Sequence, residues 1–446
     1  MTRISRLQEI TSQRICRAGV FNRVSPFVIL MPLLVASASA QLINGRLTTS
    51  MYSWEKFDSV GVSTTFTRGF QVVQLDISQG NFSLFSHLQG AATFIDASTT
   101  ADFRTQYLYG RLTNIGELLD FSIGRMPYFH GVGNGTLDGV KTAFRFGEDR
   151  ASFVAYGGVP PPGDYTLKGW GSLSSNYVFG GQFLVTPMEH LSTGISYVNK
   201  ARERTPYWTI RADSLFNPAP IYIDPELRRE QYVGIDARYL VSSLQLYGRY
   251  DFDLLGEQSQ RADLRALYGF SDDLMVNATY QFRSPRIPWN SFFSRFNLSN
   301  THEVEAGVDF VALQKVRTFV RGAFVQYDGD QSFRYTVGGY WTYASISYRG
   351  STGQAGELNS ISLAFAYPLL ERALIPNANV VWNSYALNAS APREETFSGA
   401  LGVTVRPVKQ LAVDVQGQWL TNSIYKNDLR IFAKINFWFS EMLNLL

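Results

Sequence analysis

From about Leu42 to Phe439 the chain repeats one pattern, eight to twelve residues of alternating apolar and polar side chains followed by a turn. In "LAVDVQGQW" Leu411, Val413, Val415 and Trp419 share one face, and Asp414, Gln416 and Gln418 share the other. "LQLYGRYDFD" sets Leu244, Leu246, Tyr250 and Phe252 against Gln245, Arg249, Asp251 and Asp253. In "YVGIDARY" Val233, Ile235, Ala237 and Tyr239 oppose Asp236 and Arg238. In "FRYTVGGYWTY" Phe333, Tyr335, Val337, Trp341 and Tyr343 oppose Arg334, Thr336 and Thr342. A period of two is the mark of a β-strand, because successive side chains leave the backbone on opposite sides.

The alternation predicts strands near 42–54, 63–78, 81–95, 103–113, 119–129, 138–147, 150–158, 172–186, 191–203, 228–241 and 243–255. It continues with 259–270, 274–284, 302–313, 316–328, 332–342, 344–351, 356–369, 374–388, 396–407, 411–422 and 427–439. That makes 22, an even number that brings both ends of the array to one side; weak alternation in the first two strands and near Tyr343–Ala344 sets a range of 18 to 22. Very short turns ("SQGN", "GEDR", "PMEH", "SDD", "QK", "PVKQ") alternate with longer connections such as 204–227 and 285–300. Turns sorted by parity are expected of an up-and-down transmembrane barrel, with short periplasmic turns and longer external loops, and a soluble sandwich has no reason for them. No linker or shift of composition leaves room for a plug domain, so residues 41–446 read as a single antiparallel β-barrel domain.

Composition agrees with that class. Charged residues are 17% and aromatic residues 14% of 446, and mean hydropathy is near zero. After residue 40 no run approaches the 18 or so consecutive apolar residues of a membrane helix. Residues 1–40 have the make-up of a secretory signal: Arg3, Arg6, Arg14, Arg17 and Arg23, then "PFVILMPLLV", then "ASASA" with cleavage expected after Ala40. A short membrane anchor is the alternative, with a core too short and no stop-transfer charges. Removal of this segment leaves 35 basic against 36 acidic residues, a net charge of −1, so the basic balance of the full chain gives no reason to invoke nucleic acid. Cys16, the only cysteine, lies in the signal segment, which excludes disulfides and cysteine chemistry from the mature chain.

In a bilayer the apolar face of each strand points outward and the polar face lines a wet lumen. Lumen charges are therefore expected at Lys141, Arg145, Arg249, Asp251, Asp253, Arg261, Asp263, Arg265, Glu305, Asp309, Arg317 and Arg321. They read either as mutually compensating wall charges or as a field that orients solutes, and the presence of both signs argues against strong ion selectivity. Tyr52, Trp54, Tyr128, Trp341, Tyr343, Trp438 and Phe439 lie near strand ends, where an interfacial aromatic girdle is expected. The histidines, His87, His130, His190 and His302, are far apart in sequence, so no metal site is expected. His87 is expected in the lumen and His190 in a short turn. No G-x-S-x-G motif marks a nucleophile, and no catalytic residue and no cofactor is assigned.

The stretch "GRMPYFHGVGNGTLDGV", residues 124–140, has the glycines of a phosphate-binding loop but not its context. A dinucleotide fingerprint opens a helix, whereas "VKTAFRF" is a strand with Val140, Thr142, Phe144 and Phe146 on one side. The glycines therefore predict tight left-handed turns in a loop of about ten residues between two strands.

"FSIGRMPYFHGVGNGTLDGV" resembles the segment of Gram-negative porins in which an early strand ends in Gly-Arg, a loop follows, and Asp-Gly-hydrophobic starts the next strand. In porins the loop after the fifth strand commonly folds into the barrel, and this segment follows the fifth predicted strand. The resemblance implies a strand-end pair at Gly124 and Arg125, a constriction loop at 130–137, and a return at Asp138, Gly139 and Val140. Candidate constriction residues are His130, Asn134, Thr136 and Asp138. Arg125 shares parity with Phe121 and Ile123 and so is expected to face outward unless a bulge reverses it. The loop lacks the acidic cluster of many porin constrictions, and "NFWF" is followed by "SEMLNLL" where outer-membrane barrels usually end on an aromatic residue. Phe439 is the residue that could serve there.

The functional expectation is an outer-membrane channel for passive diffusion of small hydrophilic solutes and ions, working by size exclusion. Its partners would be outer-membrane lipid and other copies of the chain, trimers being common among porins, and not nucleic acid. Two other readings stand beside it: a barrel serving as scaffold or sheath for a periplasmic or surface partner, and an outer-membrane enzyme with residues on separate strands.

Overall fold

The computed structural model describes residues 41–443, apart from 60–61, 96–97, 149, 168, 204–205, 213–216, 225–226, 286–298, 314, 354–355 and 389–390. Residues 1–40, which the sequence reading takes as a secretory signal and which include Cys16, lie outside the described residues. The first strands are β1 (Gln41–Ser59), β2 (Val62–Gln79), β3 (Phe82–Ile95), β4 (Ser98–Ile115), β5 (Leu119–His130) and β6 (Gly133–Phe146). Next come β7 (Ala151–Val159), β8 (Tyr177–Met188), β9 (Leu191–Arg202), β10 (Tyr207–Ala212), β11 (Pro218–Ile223) and β12 (Arg228–Leu240). They are followed by β13 (Leu244–Asp253), β14 (Gln258–Gly269), β15 (Leu274–Arg283), β16 (Thr301–Leu313), β17 (Val316–Tyr327) and β18 (Asp330–Trp341). The last six are β19 (Ala344–Gly353), β20 (Glu357–Ala366), β21 (Leu374–Ala386), β22 (Glu394–Val408), β23 (Leu411–Thr421) and β24 (Asp428–Leu443).

Twenty-two of these strands form one antiparallel sheet, each paired with its neighbour in sequence, β9 pairing with β12. Pairing of β1 with β24, from Gln41↔Leu443 to Ser53↔Ile431, closes the ring. The predicted strands all appear. One pair escaped the alternation, because β10 and β11 form a separate two-stranded sheet within the long 204–227 connection. Loop lengths are less strictly sorted than expected: at the end opposite the chain termini the β5–β6 and β17–β18 connections are two-residue turns.

Which face is the inside follows from contacts that skip a strand. The guanidinium of Arg334 on β18 reaches past β17 to Glu303 and Glu305 on β16. Only the concave face of a closed sheet brings next-nearest strands within reach of one side chain. Arg249, Asp251, Arg261, Asp263, Arg265, Glu305, Asp309, Arg317, Arg321, Lys141 and Arg145 share that face through the cross-strand register, and so does Asp253, the register partner of inward Tyr232. The opposite face carries exposed Val308, Val320, Phe324, Phe333, Val337 and Ile346. A closed barrel with an apolar outer belt satisfies its own backbone polar groups and so can span a bilayer.

The aromatic girdle needs correction. Tyr52, Trp54 and Trp438 lie on the inner face, since Tyr52 pairs in register with Arg68 and Phe432, and Trp438 with Arg46. Tyr128 is buried inside the barrel. Trp341 and Phe439 keep the outward parity. Proximity to a strand end does not choose a face; parity does. His190 occupies a turn beside Glu189, and His87 faces inward, with Nδ1 3.0 Å from the Gln74 amide nitrogen.

Val320→Arg, on the outer face midway along β17, is expected to lower the stability of the barrel refolded into lipid vesicles by about 2–4 kcal/mol. Ser347→Arg on the inner face should change it by less than about 0.5 kcal/mol. Urea titrations of the two variants check the difference.

Candidate functional site

Strands β5 and β6 belong to the wall only along part of their length. β5 pairs with β4 from Ile115↔Leu119 up to Leu108↔Arg125, and β6 pairs with β7 from Phe146↔Ala151 up to Asp138↔Val159. Beyond those points residues 126–137 pair only with each other, from Met126↔Leu137 to His130↔Gly133. The point of departure is built on glycine. Gly124 has φ +127°, where a side chain is strained, and a Cβ there would overlap the Leu108 carbonyl. Gly139 and Gly158 lie so close across the β6–β7 pair that a Cβ on either would meet the other strand's backbone.

The freed tip turns inward. Its turn is Gly131–Val132, with φ +56° at Gly131, matching the preference of two-residue hairpins for glycine at the first turn position. The expected ten-residue loop is thus a β-hairpin, and residues 133–137 already belong to β6. Alternation within the hairpin decides its faces. Met126, Tyr128, Val132 and Leu137 are buried against Tyr156, Val178, Val198 and Tyr232 on the inner wall, with the Tyr128 and Tyr156 ring centroids 4.7 Å apart. Wall glycine makes the seat, because a Cβ at Gly234 would occupy the place of the Val132 side chain.

Polar contacts fix the tip at its turn. The Val132 backbone N–H donates to Ser196 Oγ at 3.0 Å. Arg249 Nη2 donates to the Gly131 carbonyl at 3.0 Å, while its Nε and Nη2 hold Asp251 at 2.8 and 2.9 Å.

At the base, Arg125 keeps its outward parity but is buried, because the hairpin has bent away from β4 and the β7–β8 connection covers it. Arg125 Nε and Nη2 donate to the two Asp138 carboxylate oxygens at 2.6 and 2.7 Å. Nη1 donates to the carbonyls of Thr105 and Tyr165 at 3.0 and 2.9 Å, and Nη2 also to that of Thr166 at 3.2 Å. All five guanidinium N–H groups are engaged, which is what a buried arginine requires. The Thr105 backbone N–H, which lacks β5 as a partner there, donates to the Tyr165 carbonyl at 2.9 Å. Trp170 Nε1 caps Asp138 Oδ2 at 2.9 Å. The 160–176 connection thus stands in for the missing wall.

The four sequence-derived constriction residues separate. Asn134 and Thr136 lie on the hairpin face opposite the one packed on the wall, with Pro127 and Phe129 opposite them in register. His130 is on the other face, half-buried, its ring 6.0 Å from that of Tyr156. The side chain of Asp138 is shielded with that of Arg125 at the base, 8% and 3% exposed. Phe129, 74% exposed, joins Asn134 and Thr136, and alternation through the hairpin is the signal that marks it. The role of Arg125 carried no such signal, since its partners lie up to 41 residues away.

Around the hairpin the lumen wall is a lattice of compensated charge. Asp120 accepts from Arg111 and Arg145 at 2.7 and 3.2 Å, Glu230 from Arg228 and Lys200 at 2.6 and 2.9 Å, and Asp263 pairs with Arg261. Arg321 approaches Asp309 at 3.5 Å.

Asp138→Ala leaves the Arg125 guanidinium buried without its carboxylate, a loss of about 3–5 kcal/mol where one partner of a buried pair is removed. The strain falls on the hairpin rather than on the ring of strands. Faster amide exchange confined to residues 126–137 is the expected result; exchange accelerated throughout the barrel would contradict it.

No protein-family model and no curated protein matches the sequence. Among solved structures the chain is similar to OccK7 (OpdD) of Pseudomonas aeruginosa, with 10% identity, 91% of this chain and 99% of that one covered, and TM-score 0.41. It is similar to a BenF-like porin from Pseudomonas fluorescens Pf-5, with 10% identity, 90% and 99% coverage, and TM-score 0.38. The P pilus usher (PapC) translocation pore gives 8% identity, 89% and 99% coverage, and TM-score 0.48. Likeness at this level carries no argument about what the chain does.

Proposed function

We propose that this protein is an outer-membrane channel through which small hydrophilic solutes and ions diffuse passively, with residues 130–137 at its constriction. The observation that carries the reading is the β5–β6 hairpin tip, which leaves the wall and is seated on the inner face of the barrel. Barrels of 16 to 18 strands already enclose an aqueous channel, so a ring of 22 strands is wide enough to hold the β5–β6 hairpin tip and still pass water and solutes.

On this reading Phe129, Asn134 and Thr136 meet the passing solute. His130 backs the hairpin against the wall, and the Asp138–Arg125 pair positions it. Arg145, Arg249, Asp251, Arg261, Asp263, Glu305, Asp309 and Arg321 lie in ion pairs, so they offer hydrogen bonds and local fields at small net charge, and the channel discriminates by size more than by sign of charge. Residues 1–40 act as the export signal, with cleavage after Ala40.

Conductance in planar bilayers tests the proposal. The purified protein is expected to form stable open channels, and deletion of residues 127–136 should raise both single-channel conductance and the size of solute admitted. Because the sequence has no cysteine after Cys16, Asn134→Cys adds a single thiol, whose modification by a bulky methanethiosulfonate should reduce the current. A folded barrel with no conductance would overturn the channel reading in favour of a scaffold.

A further inference from the structure

The outer face of β1 and β2 departs from the rest of the apolar belt. Tyr52 and Arg68 face inward, so register puts Thr49 with Gln71 and Ser53 with Thr67 on the lipid side. The Thr49 hydroxyl donates to Gln71 Oε1 at 2.7 Å, and the Ser53 and Thr67 hydroxyls lie 3.1 Å apart. Leu47 and Val73 flank the Thr49–Gln71 pair on the side of the chain termini, and Met51 flanks it on the other. Elsewhere the outer face carries exposed Phe153, Phe183, Val320, Val337 and Ile346. Other outward amides, such as Asn199, Gln231 and Asn359, stand within three residues of a strand end, whereas Gln71 is eight from the nearer end of β2. A polar outer face is also why the first two strands alternate weakly in sequence.

Among the described residues Gln71 Nε2 donates to nothing, and hydrocarbon offers it no acceptor. Beside it the wall is low, because Gly90 pairs with Gln71 and Ala92 with Gly69. Neither glycine has a left-handed φ. A Cβ at Gly69 would come no nearer than 3.6 Å to the Phe94 ring, and one at Gly90 no nearer than 4.0 Å to the Gln71 carbonyl. The ring of strands therefore does not require glycine at either place. What the missing side chains leave is room for another protein surface to come close to the backbone, as small residues do where membrane segments pack.

Copies of one chain in one membrane share their orientation. A two-fold axis between them runs along the membrane normal, and each residue meets the other copy at its own height. An amide is self-complementary under that operation: Gln71 Nε2 donates to Oε1 of Gln71 of the partner subunit, which has a second lone pair besides the one taken by Thr49. A three-fold contact joins two different patches and needs a second polar patch, where β8 and β17 present Phe183 and Val320.

We propose that the outer face of β1, β2 and β3 is the interface of a two-fold dimer of this chain, joined by paired Gln71 amides. The proposal rests on the membrane setting of the channel reading and not on conduction. Disulfide trapping in lipid vesicles tests it, in a Cys16→Ser background that removes the only native thiol. Oxidation with copper phenanthroline at low protein density should join Gly69→Cys barrels into a dimer on non-reducing gels. It should leave Val320→Cys barrels, whose thiol lies on another sector of the outer face, as monomers. In sedimentation equilibrium in a density-matched detergent, Gln71→Leu should weaken dimerisation at least about tenfold, and Gln71→Asn, which keeps an amide, by less. An apolar side chain on the lipid face suits the barrel itself, so Gln71→Leu is expected to fold; heat-modifiable gel mobility checks this, and Thr49→Val replaces it if it does not. Sedimentation as a monomer or as a trimer, equal trapping of the two cysteines, or unchanged dimerisation in a folded Gln71→Leu protein would each overturn the interface. Bilayer conductance is measured separately: a dimer that does not conduct keeps this interface and loses the channel, and a conducting monomer does the reverse.

Discussion

A β-strand in a bilayer has no water to satisfy its backbone, so each strand needs a partner on both sides. The rest of this structure depends on that requirement. It is met around the ring by the closure of β1 on β24. It is given up where β5 and β6 leave their neighbours beyond Arg125 and Asp138. Everything unusual about the site is a response to that break. The 160–176 connection supplies a carbonyl to the Thr105 N–H, the Arg125 guanidinium gathers three backbone carbonyls and a carboxylate, and Ser196 and Arg249 take up polar groups at the tip.

Two kinds of energy hold the hairpin, and they act at different ends. At the tip, four apolar side chains of the hairpin are removed from water against four of the wall, a gain that scales with the area buried at about 25 cal/mol per Å². At the base, an ion pair with side chains only 3% and 8% exposed is fully hydrogen-bonded, an arrangement that contributes position more than stability. A greasy contact alone would let the tip slide along the wall. The base pair and the Gly131 carbonyl contact fix its register, so the face bearing Phe129, Asn134 and Thr136 is presented one way.

Much of the fold was legible because alternation reports face directly: Arg249, Asp251, Asp263 and Glu305 read as inward by parity and lie inward. Tyr52 and Trp54 show the limit of a rule based on position alone. Their nearness to a strand end suggested a headgroup contact, yet their parity with Arg46 and Asn44 puts them inside. The β10–β11 pair escaped notice because "YWTIRA" and "PAPIYI" carry apolar residues on both faces and alternate poorly.

The constriction segment divides along the same line. Strand parity within residues 124–140 separates Asn134 and Thr136 from His130 once the turn is placed at Gly131–Val132, and the glycines mark where the backbone bends. The sequence by itself therefore determined the strands, their two faces and the existence of a flexible point after the fifth strand, because each of these is a local property of side-chain period and backbone freedom. Only the tertiary structure decided that the hairpin bends inward and that Arg125 becomes its buried anchor. Those outcomes depend on Ser196, Gly234, Arg249 and the 160–176 connection, which are distant in sequence and meet the hairpin only after the ring has closed.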